Sequence, residues 1–556
     1  MTRWQKIALT GIYAFLAVFL IAPVLHVIKE AFYFDGKFSA DYFWNVLNNP
    51  VMYESIVNSF MLAVISSVLA TVLAIPLALF SVRYSYPFKT LLAGLLLIPL
   101  VLPPFVGAIG MQRILARFGS LNLLLMDAGI IHQPIDFFGS ASFWGIVLLE
   151  VLHLYPIVYM NVAATMGNIN PSLEEAASNL GSSRWNVMRK ITLPLMMPGV
   201  FAGFVLVFIL VLTDLGTPLV FDYRRVIAVQ IFDRITDITG NPEGYALVVL
   251  VMMLTMLAFL LIRSMMDRVS YEIPAKGYTS GSDIVPGVLG QLGIFVFFCL
   301  IIALAILPHV SVMLTAFSDK WFMSVLPQSW TLNHFNAALG HSMTIPSIRN
   351  SVFMSLTSTV IDIVLGVMIA YLVTRCKSRA TAVLDMLVML PLAIPGLLLA
   401  FGYLSMFADT PLDPRKNPVP LLIIAYSIRR LPYMVRACHA GFVQINRTLE
   451  EAAENLGSAR RTVMRKITLP LITGNIIAGA IMVFSFAMLE VSDSLMLAFK
   501  EEYYPITKAI FQLLGRIDDG AFIASALGVW SMVFLALSFM IAAIFMGKKI
   551  GQIFRA

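Results

Sequence analysis

Chemistry in this sequence would come from ionisable side chains set inside long apolar runs. A charge at bilayer depth is costly, and it is kept where it serves a pathway or a partner. Glu150 and His153 stand at i and i+3 of one such run, and Asp214 in the next. Farther along, Arg429 and Arg430 share one run, and Glu490 and Asp493 occupy another. At an offset of 276 residues His153 aligns with Arg429 and Asp214 with Glu490. Carboxylates are hard ligands suited to a hard cation, so Asp214, Glu490 and Asp493 could line a cation path. The arginines would suit an anionic substrate or a metal-bound anion. The same groups could instead pair, Glu150 with His153 and Arg429 or Arg430 with Asp493 or Glu490, and hold helices together. Nothing resembles a catalytic constellation. His26, His132, His309, His334, His341 and His439 are scattered, and Cys299, Cys376 and Cys438 show no metal-ligand spacing. No enzyme activity and no bound metal or cofactor are expected.

The elements that position these residues recur. Residues 173–195 read LEEAASNLGSSRWNVMRKITLPL and residues 449–471 read LEEAAENLGSARRTVMRKITLPL, with 19 of 23 positions identical. Pro23 matches Pro308, Pro99 and Pro103 match Pro391 and Pro395, and Pro156 matches Pro432. Each repeated loop predicts a short helix opened by a capping box, Ser172 with Glu175 and Thr448 with Glu451. Leu173, Ala176, Ala177 and Leu180, like Leu449, Ala452, Ala453 and Leu456, form a thin apolar face that another surface can approach closely. Gly181 and Gly457 can end that helix in the left-handed conformation. Ser182 and Ser458 would cap a second helix with Arg189-Lys190 or Arg465-Lys466 in its last turn, and Pro194 and Pro470 would mark the next segment. The prolines of the third spans could either kink them for packing or act as hinges.

The chain of 556 residues is 59% hydrophobic and 12% charged, with a mean hydropathy of +0.86. That composition excludes a soluble enzyme, a nucleic-acid-binding protein and a disordered scaffold. It predicts an all-α polytopic membrane protein with a lipid bilayer as its surroundings. Twelve apolar runs long enough to span lie near 7–28, 57–80, 91–112, 142–166, 199–221, 244–262, 288–317, 351–373, 383–407, 419–441, 474–496 and 521–546. The first is read as an uncleaved helix rather than a signal peptide. Residues 1–272 and 288–556 would form two six-span halves joined by a cytoplasmic linker, 273–287. Six spans per half keep the copies in the same orientation, as parallel repeats. With both termini cytoplasmic, the inner segments hold 21 Lys and Arg and the outer loops 14.

The repeated loop resembles the signature loop of binding-protein-dependent ABC importer permeases: Glu-Ala-Ala, three residues, Gly, nine residues, Ile-x-Leu-Pro. It stands here as Glu175-Ala176-Ala177, Gly181, Ile191, Leu193, Pro194 and again as Glu451-Ala452-Ala453, Gly457, Ile467, Leu469, Pro470. The resemblance covers nearly the whole chain and implies a type I ABC importer permease fold of twelve transmembrane helices in a bacterial inner membrane. It implies a coupling helix at Glu174–Gly181 and at Glu450–Gly457. Each would dock on a cytoplasmic ABC ATPase, so two ATPase copies are expected, with one extracytoplasmic solute-binding protein on the outer loops. ATP would be used by those partners, since no G-x-x-x-x-G-K-[ST] stretch occurs in this chain. An ion-driven secondary transporter of twelve spans is the rival, but it would have no ATPase to grip. The fusion of two halves resembles ferric-iron importer permeases, and also fused permeases of thiamine and aminoethylphosphonate importers. The stretch Asp214-Leu-Gly-Thr-Pro-Leu is most similar to the ferric-iron group. Ferric iron is therefore the first expectation for the substrate; aminoethylphosphonate, thiamine, a polyamine or a phosphorylated sugar remain open.

Overall fold

The computed structural model describes residues 3–34, 37–137, 142–234, 242–268, 284–376, 378–392 and 394–546. Most of the expected linker, 273–283, and the basic C-terminal segment 547–556 lie outside the described residues. Among the described residues the chain is a set of helices joined by loops, with one hairpin that pairs Tyr33–Phe34 with Lys37–Phe38.

A helix or a broken helix stands at each expected span. Among the described residues nine uninterrupted helices are long and apolar enough to cross a membrane: Arg3–Phe32, Pro50–Arg83, Phe143–Gly167, Arg184–Leu212, Pro242–Leu260, Val288–Phe317, Thr344–Arg375, Arg460–Met488 and Gly520–Ser538. Two bent pairs, Lys89–Val101 with Pro104–Asp127 and Arg379–Leu392 with Gly396–Met406, raise the count to as many as eleven. At the tenth position Val419–Gln444 has the length of a span but carries Arg429, Arg430 and Arg436. The bends are the work of the matched prolines. Leu102 is extended before Pro103, and the first pair turns by 94°. The ring and the missing N–H leave no room for a helical turn there.

Small residues bring the spans together, because in lipid close packing must supply the attraction that burial supplies in water. A Cβ on Gly203 of the fifth span would sit 2.7 Å from Val158 Cα of the fourth. Gly479, its counterpart in the eleventh span, would meet Ala437 Cβ of the tenth at 2.9 Å.

The two halves are interlocked. Pro308, in the first span of the second half, presents its carbonyl to Gly110 in the second arm of the third span, where a Cβ would lie at 1.8 Å. Reciprocally, the Pro23 carbonyl faces Gly402 in the second arm of the ninth span, where a Cβ would lie 3.0 Å from it. Each half's opening span thus packs on the broken span of the other. The sixth span adds Tyr245, whose ring meets Phe401 edge-on at 5.1 Å and whose hydroxyl lies 2.5 Å from Ser405 Oγ. The arm Pro104–Leu115 buries Phe105, Val106, Ala108, Ile109 and Met111 along this seam.

Candidate functional site

The fifth and eleventh spans both stop short. The fifth ends at Leu212 and a short helix, Gly216–Val220, follows; the eleventh ends at Met488 and is followed by Ser492–Leu497. Asp214 occupies the first break and Glu490 the second. Asp214 accepts from the Gly216 amide (3.2 Å) and the Thr217 amide (2.9 Å), which pins its carboxylate over the new helix start. The breaks face each other across the seam, since a Cβ on Gly216 would lie 3.0 Å from Val491 Cγ1.

The two breaks carry different charge. In the second half Arg429 Nη1 donates to Glu490 Oε1 at 2.6 Å and to Asp493 Oδ2 at 3.2 Å. Arg430 pairs with the other Glu490 oxygen and donates to the Phe486 carbonyl. Asp493 is fully buried, and its amide donates to Glu490 Oε1 at 3.1 Å. The expected pairing of the arginines with these two acids is therefore present, with the Arg429 side chain 24% exposed. In the first half the buried Glu150 lies beside Asp214 and Thr217 rather than pairing with His153. His153 instead turns to the Pro99 backbone, and His309, from the second half, places Nε2 3.4 Å from the Pro103 carbonyl. The Pro99 carbonyl has no amide donor four residues on, because Pro103 lacks an N–H, whereas the Pro103 carbonyl also accepts from the Gly107 amide at 3.1 Å. An i, i+3 spacing puts Glu150 and His153 on neighbouring faces but does not choose between partners on other helices.

On the other side of the molecule each repeated loop forms the expected helix and left-handed stop. Gly181 has φ +84° and Gly457 φ +86°. The Ser182 amide bonds the Ala177 carbonyl and the Gly181 amide the Ser178 carbonyl; Ser458 and Gly457 repeat both bonds to Ala453 and Glu454. This is a Schellman stop in duplicate. The starts differ from expectation. The helices run Pro171–Asn179 and Arg447–Asn455 and are capped by Asn170 on the Ser172 amide (3.0 Å) and Asn446 on the Thr448 amide (3.2 Å), not by Ser172 and Thr448. An Asn side chain reaches the amide two residues on, and Pro171 has no N–H to satisfy at the first position. Ser183, not Ser182, caps the next helix in the first copy, and Ala459 leaves the second copy without a side-chain cap. Nor does a short helix end at Arg189-Lys190 or Arg465-Lys466. The chain runs on into the fifth and eleventh spans through wide turns, Met188–Thr192 and Met464–Thr468. These turns take up the proline that follows without ending the helix.

No residue of either loop helix is buried. Leu180 and Leu456 are both 87% exposed, and Leu173 and Leu449 about half exposed. Ala176, Glu175, Ala452 and Glu451 lie on the open face, while Ala177 and Ala453 are half-buried. Glu174 and Glu450 turn inward, to Arg83 and Arg375. Those arginines went unnoticed in the sequence, yet they match at the same offset of 292 residues as Pro99 and Pro391.

A membrane-spanning bundle with an interlocked seam and two exposed loop helices has the architecture of a transport subunit. The binding-protein-dependent transport system inner membrane component family matches residues 70–272 and 362–546, and the chain belongs to that family. It is a multi-pass inner-membrane permease subunit of an ABC importer, a class that works with ATPase and solute-binding partners. Its curated relatives include the ferric transport system permease protein FbpB of Actinobacillus pleuropneumoniae, 27% identical over 93% of this chain and 74% of that protein. A putative ferric transport system permease protein FbpB 1 of Haemophilus influenzae is 26% identical over 85% of this chain and 75% of its own length. The molybdate/tungstate permease WtpB of Pyrococcus furiosus is 30% identical but matches 34% of this chain and 73% of its own. Among solved structures, a bacterial ABC transporter involved in import of the acidic polysaccharide alginate is 13% identical, with a TM-score of 0.37 over 48% of this chain and all of that one.

Proposed function

We propose that this chain is the transmembrane subunit of a ferric-iron importer. It carries the ion along the seam between its halves, 1–272 and 288–556, and grips one ATPase subunit with each loop helix, two copies in all. The observation that carries the reading is the duplicated loop. Two helices with the same stop and the same exposed leucine tip stand in halves that differ widely elsewhere, and two like plugs suit two like sockets. ATP is bound and hydrolysed by the partners, not by this chain, and both termini face the cytoplasm with the loops. A loaded solute-binding protein docks on the outer loops. ATP then draws the two loop helices together and opens the seam outward, and hydrolysis resets it.

Iron is favoured because the relatives named for ferric transport match along the fused length, whereas the molybdate/tungstate relative matches about a third of the chain. The acids at the seam suit a hard cation. Glu150 and Asp214 stand there without an arginine, while Arg429 and Arg430 balance Glu490 and Asp493. The test is uptake of radioactive ferric iron into proteoliposomes holding the chain, its ATPase and its binding protein. Uptake should require ATP and survive collapse of ion gradients, and Asp214→Ala should abolish it while the ATPase stays bound. Transport of aminoethylphosphonate, thiamine, a polyamine or a phosphorylated sugar in place of iron would refute the substrate. Uptake that follows an ion gradient would refute the energy source.

A further inference from the structure

Each loop helix is held to its half by a three-residue clamp that joins three separate elements. Glu174 Oε1 accepts from Arg83 Nη2 at 2.9 Å and from Thr192 Oγ1 at 2.7 Å. Glu450 Oε1 accepts from Arg375 Nη2 at 3.1 Å and from Thr468 Oγ1 at 3.0 Å, and its Oε2 lies 3.0 Å from Arg375 Nε. Arg83 and Arg375 are the last helical residues of the second and eighth spans. Thr192 and Thr468 are buried in the wide turns that open the fifth and eleventh spans. The carboxylate of the loop helix is therefore the point where two spans and the loop meet, once in each half.

We infer that Arg83 and Arg375 are positioning residues: they make each loop helix move as one body with the second and fifth spans of its half, so that a push on the loop reaches the bundle. The loop helices bury none of their own residues, so packing gives them little grip. The clamp is shielded instead, with side-chain exposure of 15% and 22% for Arg83 and Glu174 and 9% and 16% for Arg375 and Glu450. A charge-assisted contact out of bulk water is stronger and more directional than an exposed one. Two arginines at one register of the repeat and two Glu–Thr pairs at another arrive at the same geometry, as a mechanical link needed in both halves would require. The inference rests on the loops being the ATPase-docking elements.

Its test needs no transported substrate. Spin labels at Val72→Cys and Val364→Cys, exposed positions on the second and eighth spans, with Cys299, Cys376 and Cys438 replaced, report the distance between those spans in the complex with its ATPase. In the otherwise unaltered chain, trapping with ATP and vanadate should shift that distance. In Arg83→Gln/Arg375→Gln the ATPase should still copurify, but the shift should shrink at least twofold. The conservative Arg83→Lys/Arg375→Lys, which keeps the charge, should restore part of it. An equal shift in the glutamine variant, or no shift in the parent, would overturn the inference. Undiminished copurification in Gly181→Val/Gly457→Val would instead refute the docking role of the loops. If the glutamine variant fails to assemble, Thr192→Val/Thr468→Val, which removes the other donor to each glutamate, decides: a shift equal to the parent's overturns the inference, and a reduced one supports it.

Discussion

Gly216 of the first half lies against Val491 of the second, so that a side chain at Gly216 would start 3.0 Å from Val491 Cγ1 and 3.2 Å from Phe105 Cβ. This contact brings the two span breaks, and with them Asp214 and Glu490, to one level of the seam. Any widening of a path between the halves has to separate these residues. Gly216→Val should therefore jam the seam. Overpacking of this kind costs about 1–3 kcal/mol, and uptake should fall about tenfold with the ATPase still bound. Uptake in proteoliposomes at the parent rate would show that the seam does not open here.

Glu490 is the common partner of Arg429 and Arg430. Glu490→Gln would leave the buried Arg430 without its carboxylate partner and the half-buried Arg429 with Asp493 alone. Breaking a buried ion pair from one side costs about 3–5 kcal/mol. The purified chain should unfold at a clearly lower temperature, and Arg430→Met added to Glu490→Gln should recover part of the loss. A cycle of the two single variants and the double variant, followed by thermal unfolding, checks this. Additive losses would mean that the pair is not coupled.

Gly181 and Gly457 hold φ near +85° with open space around the missing Cβ. The cost of a substitution there is one of backbone conformation rather than crowding. A β-branched residue in the left-handed region costs about 1–2 kcal/mol. Gly181→Val/Gly457→Val should fray both loop stops and reduce ATPase copurification several-fold, and Gly181→Asn/Gly457→Asn should retain most of it. Full copurification and transport in the valine variant would remove the loops from the docking surface.

The loop between the ninth and tenth spans is pinned by Asp413. Its carboxylate accepts from Arg415 Nε (3.0 Å) and from the Asp409 and Arg415 amides (each 3.0 Å). The Arg415 guanidinium, first, and these amides hold its pKa down to about 2, below the ordinary value of about 3.9. A depressed carboxylate contributes stability that is complete above the ordinary value and is lost as pH falls through the folded one. Protection of the Asp409 and Arg415 amides should thus be constant above about pH 4 and decline towards pH 2. Hydrogen exchange corrected for intrinsic rates checks this. Asp413→Asn should already show the weakened loop at neutral pH, and equal protection in that variant would show that the carboxylate does not pin the loop.

Much of the architecture was legible because its signals are local. A run of twenty apolar residues in lipid has to satisfy its own backbone, so it has to be helical, and the spans follow from composition alone. Gly181 and Gly457 were readable for the same reason, since a left-handed stop is a property of one residue and its neighbours. The start of each loop helix was misplaced because Ser172, Thr448, Asn170 and Asn446 all have side chains able to cap. The choice among them depends on where the preceding span ends. Continuity through Arg189-Lys190 was missed because a proline ordinarily ends a helix, and a wide turn leaves no mark in the sequence.

By itself the sequence determined that this is a duplicated helical membrane protein of the importer permease family, with two like loops. Those properties follow from hydrophobic length, from a repeat and from glycine and proline backbone limits. Only the tertiary structure decided which helices touch. It placed Pro308 on Gly110 and Pro23 on Gly402, so that the halves exchange their first spans. It set Glu150 beside Asp214 rather than with His153, and drew Arg83 and Arg375 to Glu174 and Glu450. The physical reason is one of range. Helix formation is settled within a few residues along the chain, whereas a polar group in a membrane takes whichever partner close packing brings within about 3 Å, and that partner stands on another helix.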